Sequence, residues 1–388
     1  MNAKSCSSTI TDPYRAGIEI GEGLASLQPE VIFLFPTIEY QGSPELVEGI
    51  LDVLDSDDIV LIGNTGDGFY EYNKVGDSGV SALGMNSDGA VNWHIACESG
   101  VGSQPFEATE RCFARLHEAC KRSDPALYFL TTDFRTDTTE IIAAVQKSAR
   151  GPVVGGSAGD DYTFSKCFVY ANREVYTDCV AVLAVEGEIE FDILIANTMQ
   201  PMGSSGKITE FEGTTIRMID NIPAMEFVER EIGKPIVVID QGIISLKLTE
   251  HMNDVNGRIR SVLLPDPGQD ESGIKLFGGV TQGDYAQVCL TPREKIIEDV
   301  KDIAQSISNL PFNPIAALAV SCAGRKKVLA EHLDTEVSNI VDNCKSLEAL
   351  AGFPSFGEFG PMKTDDGYTD SMFHNMTFIL LLIGGSNN

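Results

Sequence analysis

The chain is poor in basic residues, because 28 lysines and arginines stand against 57 aspartates and glutamates, and its formal net charge is −29 at pH 7. An acidic surface of this kind repels nucleic acid and anionic membranes, so we expect neither as a partner. Long apolar runs are also missing, since the run at 376–383 is far shorter than the roughly 18 residues that a membrane-spanning helix needs.

Short-spaced metal and haem motifs are absent, since the sequence contains no CxxC, no HExxH and no CxxCH. Its nine cysteines are scattered and odd in number, which is typical of reduced thiols in the cytosol. Residues 1–13 lack the charged and apolar regions of a secretory signal peptide. We therefore predict no metal site and a cytoplasmic location.

A recurring order of segments is the main positive feature: an apolar run, a helical stretch, a second apolar run, a glycine-rich loop with an acidic residue, and a further apolar run. The order occurs three times, which indicates internal duplication. Asp67, Asp160 and Glu358 fall at comparable positions in the three loops. The segments are 31–35, 44–54, 59–62 and 80–83 in the first copy, 126–130, 138–149, 153–154 and 180–185 in the second, and 315–320, 326–341, 350–360 and 376–383 in the third.

Residues 186–313 follow a different pattern, in which short apolar runs alternate with glycine and proline. These runs, at 236–239, 243–248, 259–264 and 274–280, predict meander strands. A short helix is predicted over 223–232, with Asn221 as its cap and Gly233 as its stop, and a longer one over 293–307.

The fold class predicted is α/β in the mixed α+β sense. Repeated strand–helix–strand–glycine loop–strand units form mixed sheets, and a β-meander region is inserted among them. Residues 1–29 are predicted to be a frayed tail with a short helix, and a domain boundary is placed near residue 222.

The segment Ser321-Cys322-Ala323-Gly324-Arg325 carries the strongest candidate site, because it joins an apolar strand to a helix. Backbone N–H groups at such a turn bind anions and polar ligand groups. A thiol at the helix start beside an arginine has its thiolate favoured by both the dipole and the charge. Glycine at this turn indicates either a positive φ or a close backbone approach.

Two interpretations of this segment stay open. With Glu358 as an orienting acid and His374 as a base, Cys322 would complete a catalytic triad. In the other reading, Cys322 packs inertly and His374 is a buried core histidine. Arg325 either binds a carboxylate or phosphate or pairs structurally with an acid such as Glu358.

The ligand-binding set predicted from the sequence extends beyond these four residues. Asp160 is included because it follows the glycine-rich turn at 155–159, although that turn lacks the lysine and spacing of a P-loop. The full set is Ser321, Cys322, Gly324, Arg325, Glu358, His374, Asn375 and Asp160.

The motifs SCAGR, GFPSFGEFGP and FHNMTF resemble the C-terminal signature of FIST domains (F-box and intracellular signal transduction proteins). GGSAGDD at 155–161, with 168–175 and 178–182, resembles the N-terminal FIST domain. The resemblance implies an N-terminal domain over 30–222 and a C-terminal domain over 223–388, which together form an intracellular sensor of small ligands such as amino acids or their derivatives.

Three functions are compatible with these observations. A sensor would signal through a separate partner such as a histidine kinase, since no output motif is present in the sequence. An enzyme, a cysteine-dependent hydrolase or lyase, would use the same pocket on a small polar substrate, whereas a scaffold would have no defined polar pocket. Some FIST proteins bind haem through a histidine, but His94, His117, His251 and His332 lie in no motif that carries this ligand over, so no cofactor is predicted and haem remains an alternative.

Overall fold

Three similar units follow one another along the chain of the computed structural model, which describes residues 1–56, 58–121, 123–197, 199–252, 257–264, 272–281, 283–364 and 366–384. Each unit has the order strand, helix, strand, helix, strand, hairpin and return strand. The first unit consists of β1 (Asn2–Ser8), α1 (Pro13–Leu24), β2 (Val31–Pro36), α2 (Glu45–Leu54), β3 (Val60–Asn64), β4 (Phe69–Glu71), β5 (Lys74–Gly76) and β6 (Val80–Asn86).

The second unit repeats this order without an insertion. It consists of β7 (Asn92–Ser99), α3 (Pro105–Ala119), β8 (Leu127–Thr132), α4 (Thr138–Ser148), β9 (Val153–Ser157), β10 (Val169–Ala171), β11 (Glu174–Tyr176) and β12 (Cys179–Glu186). The duplication predicted from the sequence is therefore confirmed for these two copies.

The third unit is interrupted after its first strand, β13 (Glu190–Ala196), by an inserted sheet. The insertion consists of β14 (Gln200–Glu212), β15 (Thr215–Ile219), β16 (Ile222–Pro223), α5 (Ala224–Ile232), β17 (Ser245–Thr249), β18 (Arg258–Leu263), β19 (Ile274–Leu276) and β20 (Tyr285–Leu290). The unit then resumes with α6 (Arg293–Ser306), β21 (Pro314–Cys322), α7 (Ala323–Leu329), α8 (Thr335–Asn343), β22 (Ala349–Ser355), β23 (Glu358–Gly360), β24 (Lys363–Thr364), β25 (Gly367–Tyr368), β26 (Met372–His374) and β27 (Phe378–Gly384).

The hairpin of each unit pairs with the sheet of another unit. The three sheets have the strand orders β1-β6-β2-β3-β10-β11, β7-β12-β8-β9-β23-β26 and β13-β27-β21-β22-β4-β5. The second and third strands of every unit are parallel, and the return strand pairs antiparallel to the second. The exchange gives the molecule an approximate threefold symmetry, and the predicted mixed α+β class is confirmed.

A glycine stands at the same register position in all three units, on the third strand opposite a backbone carbonyl of the second. A Cβ atom at Gly63 would lie 1.8 Å from the oxygen of Leu34. The corresponding distances are 1.8 Å for Gly155 and the Leu130 oxygen, and 1.9 Å for Gly352 and the Ala319 oxygen. No side chain fits this approach, so the parallel pair of each unit depends on glycine.

The inner faces of the three sheets meet in one hydrophobic core, which takes residues from every unit. Phe35 and Phe353 stack with their ring centroids 4.9 Å apart, and Phe33 contacts Phe129 edge-on at 5.3 Å. The helices cover the outer faces, with α1 and α2 on the first sheet, α3 and α4 on the second, and α6 and α8 on the third. Within the described part of the chain, no helix has the length and apolar character needed to cross a bilayer.

Several predicted elements differ from those of the structure. Residues 2–8, predicted to lie in a frayed tail, form the edge strand β1, which pairs with β6 over its whole length, because this segment supplies the first strand of the repeat. The helix predicted over 326–341 breaks at Ala330, whose φ is +49°. The strand predicted at 236–239 is instead a loop that ends in a single 3-10 turn. Pro223 rather than Asn221 occupies the N-cap position of α5, without a side-chain capping hydrogen bond.

Candidate functional site

Cys322 lies where β21 ends and α7 begins, beside the carboxyl end of the parallel strand β22. Ser355, the last residue of β22, is its register partner. Burial raises the pKa of the Cys322 thiol well above its usual value, and the neighbouring Glu358 raises it further. The prediction of a stabilised thiolate is therefore wrong, because burial outweighs the charge of Arg325 and α7 is a helix of only 7 residues.

Glu358 is fully buried behind the thiol, on the first strand of the hairpin that follows β22. Its Oε1 accepts a hydrogen bond of 2.6 Å from the Ser355 hydroxyl, and its Oε2 accepts one of 3.2 Å from the Thr377 backbone N–H. The carboxyl group is also in hydrogen-bonding contact with Cys322. Burial raises the pKa of Glu358 to about 8, so the group is largely a neutral acid at pH 7.

A narrow cavity adjoins Cys322 on the side of the inserted sheet. It offers about 10 Å³ to the centre of a water-sized molecule, which is room for roughly one water. Gly324 and Asn375 line it beside Cys322, and Gly242 and Ser261 close it from the inserted sheet. A Cβ atom at Gly324 would lie 2.4 Å from the Gly242 oxygen, so the close backbone approach that the sequence suggested is the reason for this glycine.

Aromatic side chains from separate segments gather at the outer wall of this cavity, which is lined by four of them, Tyr162, Phe164, Phe277 and Phe356. Phe356 lies at their centre, with its ring centroid 4.9 Å from that of Phe164, 5.5 Å from Tyr162 and 6.2 Å from Phe277. Phe134 contacts Phe356 edge-on at 5.2 Å. We call these five residues the aromatic cluster. Phe277 comes from the inserted sheet, so this wall joins the insertion to the three-unit core.

Two open clefts adjoin the aromatic cluster. The first has a volume of about 470 Å³ and shares Phe164, Phe277 and Phe356 with the cavity. It also contains Arg135 and Asp137 from the second unit and Gln241 and Lys275 from the insertion. The second, of about 650 Å³, meets the cavity at Tyr162 and contains Asp67, Lys326 and Lys327. Ligand-sized space therefore adjoins the Cys322 cavity in two places.

Asp160 does not line the cavity but organises the loop that covers it. Its carboxylate accepts hydrogen bonds from the backbone N–H groups of Phe164 at 3.0 Å and Ser165 at 2.7 Å, and from the Thr163 hydroxyl at 2.7 Å. These contacts fix the segment that presents Tyr162 and Phe164 to the cluster. Asp160 is thus a positioning residue for the aromatic wall.

Arg325 lies on the opposite face of the third sheet from Cys322. Its side chain is 1% exposed and its Nε donates to Glu336 Oε1 at 2.7 Å, while Tyr70 donates its hydroxyl to Glu336 Oε2 at 3.0 Å. Ser321 is buried and lines no part of the cavity, because adjacent strand residues point to opposite faces. The structure thus places Ser321 away from the cavity and Arg325 in a buried ion pair, and the acid that pairs with Arg325 is Glu336 rather than Glu358.

His374 is not placed to activate Cys322. Its Nε2–H donates to the Gly360 carbonyl oxygen at 2.9 Å, and burial lowers the pKa of the ring to about 4, so it is neutral at pH 7. Asn375 accepts from the Ser261 N–H at 3.0 Å and donates to the His374 oxygen at 2.9 Å, which fastens the inserted sheet to the core. The structure brings together Cys322, Glu358 and Asn375 but not the predicted triad.

Two of the described histidines, His117 and His374, lie in surroundings unlike a haem pocket. His117 lines a cleft of about 680 Å³, but that cleft is walled by charged side chains such as Glu107, Arg111 and Lys147 rather than by the apolar surface that a porphyrin needs. His374 is buried against a backbone carbonyl.

The raised pKa of Glu358 predicts a specific pH dependence of stability. The carboxyl ionises at about pH 8 in the folded state, and at about 4.3 when unfolded. The stabilisation that comes from keeping this carboxyl neutral in the folded state is therefore fully present below about pH 4, and it is lost as the pH rises toward 8. We expect the free energy of unfolding, measured with urea at pH 6 and pH 8.5, to fall more in the wild type than in Glu358→Gln. An equal fall in both proteins would contradict this assignment.

The cluster residues were missed from the sequence, although part of the signal was present. Phe356 lies inside the GFPSFGEFGP motif, and Tyr162 and Phe164 follow the GGSAG turn directly. Nothing in the sequence pattern indicated that Phe277, from the inserted region, would meet them.

Comparison with known proteins gives matches along most of the chain. The FIST N domain matches residues 30–222 and the FIST C domain matches residues 221–361. The uncharacterized protein MJ1623 of Methanocaldococcus jannaschii is 24% identical over 343 residues, which are 82% of this chain and 65% of that protein. The chain thus spans just under two thirds of the length of this relative.

Solved structures give only remote likenesses. PurL of Thermotoga maritima in complex with ATP matches with 12% identity over 99% of this chain and 71% of that one, at a TM-score of 0.20. The complex with FGAR matches with 10% identity over 98% and 72% of the two chains, at 0.21. These scores are too low to carry an argument.

The two domain matches together cover most of the chain and meet inside the inserted sheet, between β15 and α5. The FHNMTF segment at 373–378 lies beyond the matched residues. The resemblance seen in the motifs is confirmed, and the chain belongs to the FIST family, whose domains are generally sensors in signal transduction.

Proposed function

We propose that this protein binds a small polar metabolite with an apolar portion, such as an amino acid or derivative, in the 470 Å³ cleft beside the aromatic cluster. The observation that carries the proposal is the cluster itself, which separates this open cleft from the buried Cys322 cavity. Ligand pockets combine aromatic walls with a few polar groups that fix orientation. The rings of Phe164, Phe277 and Phe356 would supply the apolar wall.

The polar groups of the cleft suit a ligand that carries both charges. Arg135 is 43% exposed and is ion-paired to the buried Asp133, which holds its guanidinium at the cleft while leaving N–H groups for a ligand carboxylate. Asp137 Oδ1 accepts from the Thr139 N–H and Gln241 Oε1 from the Leu264 N–H, and the remaining lone pairs of both side chains would accept from an ammonium group. Both ends of an amino acid would therefore find partners.

Binding is favoured over catalysis at Cys322. A cysteine nucleophile needs a lowered pKa or a base within hydrogen-bonding reach. Here burial raises the pKa of Cys322, Glu358 is largely protonated, and His374 is held by the Gly360 carbonyl. The Cys322 cavity would lie behind the aromatic wall of the ligand site rather than serve as a reaction centre.

The inserted sheet would transmit the signal. It meets the second unit through the Gly279 N–H, which donates to Thr139 Oγ1 at 2.7 Å, and the third through Asn375 and Ser261. A ligand in the cleft would contact both the inserted sheet and the second unit, and it would shift the inserted sheet relative to the three-unit core. A separate signalling protein, such as a histidine kinase, would read that shift.

The proposal is tested by incubating the purified protein with a metabolite pool and identifying what it retains by mass spectrometry, followed by calorimetry with the retained compound. We expect Phe277→Ala to weaken binding at least about tenfold, because loss of an aromatic wall removes ~1.5–3 kcal/mol of apolar contact. Phe211→Ala is the matched control, since this half-buried phenylalanine lies on the same sheet but does not line the cleft.

Two results would overturn the proposal. One is wild-type affinity in Phe277→Ala. The other is a compound consumed by the wild type but not by Cys322→Ser, which would make the protein an enzyme.

A further inference from the structure

Three metal-ligating side chains of different types converge on the outer edge of the second sheet. His94 comes from β7, Cys120 follows α3, and Glu186 ends β12. A ligand atom of each lies within 4.8 Å of the other two, and His94 Nε2 is 3.0 Å from Glu186 Oε2. None of the three residues lines the Cys322 cavity or either adjoining cleft.

Strand pairing sets the positions of His94 and Glu186, and hydrogen bonds orient the Glu186 carboxylate. β7 and β12 are antiparallel neighbours, with His94 opposite Ala184 and Glu186 opposite Asn92. The Asn92 amide donates to Glu186 Oε2 at 2.9 Å, and the Ser123 N–H donates to Oε1 at 3.2 Å. Metal-ligating carboxylates are commonly oriented by such secondary hydrogen bonds.

The site is partly open to solvent. The Glu186 side chain is 2% exposed and that of His94 is 23% exposed, while Cys120 is half-buried. An ion can therefore enter and keep a water ligand while bound to three protein atoms.

The approximate threefold symmetry shows that the fold does not require these residues. His94 lies on the first strand of the second unit and Glu186 on its last. The strand register therefore identifies the equivalent positions in the other two units. Cys120, the residue that caps α3, corresponds to Ala25 after α1 and Ile307 after α6. The residues equivalent to His94 and Glu186 are Lys4 and Asn86 in the first unit, and Asp192 and Gly384 in the third.

We propose that His94, Cys120 and Glu186 bind one Zn²⁺ ion, with water as the fourth ligand. Thiolate, imidazole and carboxylate are the three donor types that zinc accepts, and three protein ligands plus a water form an open tetrahedral site. Zinc–ligand bonds of about 2.0–2.3 Å place ligand atoms roughly 3.3–3.8 Å apart, so small side-chain rotations bring the three atoms into range. The ion would fasten the end of α3 to the edge of the sheet.

No sequence motif indicates this site, because the three ligands are separated by 26 and 66 positions. Zinc motifs are recognised by pairs of ligands a few residues apart. Here the spacing is set by strand pairing and by the end of a helix, which only the folded chain reveals.

The test uses the full chain, stripped with a chelator and titrated with Zn²⁺, and separately with Co²⁺ as its spectroscopic substitute, in excess Mg²⁺ that fills weak acidic surface sites. We expect one Zn²⁺ per chain and a thiolate-to-cobalt charge-transfer absorption. Cys120→Ser should abolish that absorption and weaken Zn²⁺ binding at least about tenfold, and His94→Ala should weaken binding similarly. Cys6→Ser, at another half-buried cysteine, is the control and should bind as the wild type does.

His94 and Cys120 are both partly exposed, so we expect the substituted proteins to fold, and circular dichroism checks that they do. Binding of equal strength in the wild type, Cys120→Ser and His94→Ala would show an adventitious ion only and overturn the proposal. Cobalt spectra without thiolate absorption in the wild type would overturn it as well.

Discussion

Replacing Glu336 with alanine is expected to lower the free energy of unfolding by about 3–5 kcal/mol, because it strands the charge of Arg325 inside the protein. The Arg325 side chain is 1% exposed and Glu336 is the acid to which its Nε donates, at 2.7 Å. The Tyr70 hydroxyl would lose its acceptor on Glu336 as well. Urea denaturation followed by circular dichroism measures the loss.

Glu331→Ala is the matched control, since Glu331 also pairs with an arginine but is 70% exposed. Exposed pairs contribute at most about 1 kcal/mol, so this variant should remain close to the wild type. A double variant, Arg325→Met with Glu336→Leu, should recover much of the loss, since no charge is left buried. Equal stabilities of Glu336→Ala and Glu331→Ala would contradict the buried ion pair.

Gly352→Ala is expected to lower the free energy of unfolding by more than about 3 kcal/mol, through overpacking between two parallel strands. A methyl group there would lie 1.9 Å from the Ala319 oxygen, and the neighbouring backbone is fixed by the β21–β22 ladder. Gly63→Ala and Gly155→Ala should cost similar amounts, because their Cβ atoms would lie 1.8 Å from the facing oxygens. Urea denaturation of each variant tests the prediction.

Gly233→Ala separates this steric effect from backbone conformation. Gly233 caps α5 with a φ of +75° and has open space around it, so alanine there should cost only about 1 kcal/mol. If Gly352→Ala were no more costly than Gly233→Ala, the close approach of β21 and β22 would not be a constraint on the fold.

The sequence predicted the repeat and most helices, because each unit shows its own periodicity. The predicted helix over 138–149 lies within one residue of α4 (Thr138–Ser148), and Gly233 stops α5 as expected. Hairpin exchange was beyond the reach of pattern reading, since β10 and β11 have the same alternation whether they pair with β9 or with β3. The choice is made by packing between units, which local sequence does not encode.

The candidate site was predicted in part. Cys322, Gly324 and Asn375 do meet at one cavity, as the convergence of motifs suggested. The sign of the pKa shift at Cys322 was wrong, because the sequence shows the nearby arginine but not the depth of burial. The two-residue alternation of β21 places Ser321 and Cys322 on opposite faces of the sheet. Within the SCAGR motif, Cys322 and Gly324 therefore line the cavity, whereas Arg325 forms a buried ion pair.

The exchanged hairpins also bear on how the chain folds as it is synthesised. The first sheet lacks its outer strands until residue 176 has been made, and the second until residue 374. The third must recapture β4 and β5, which emerge from the ribosome long before the strands that receive them. The units therefore cannot complete their folding one after another during synthesis. Each nascent intermediate has a sheet edge whose backbone groups are unpaired. Such an edge can bind a chaperone or pair with a neighbouring nascent chain.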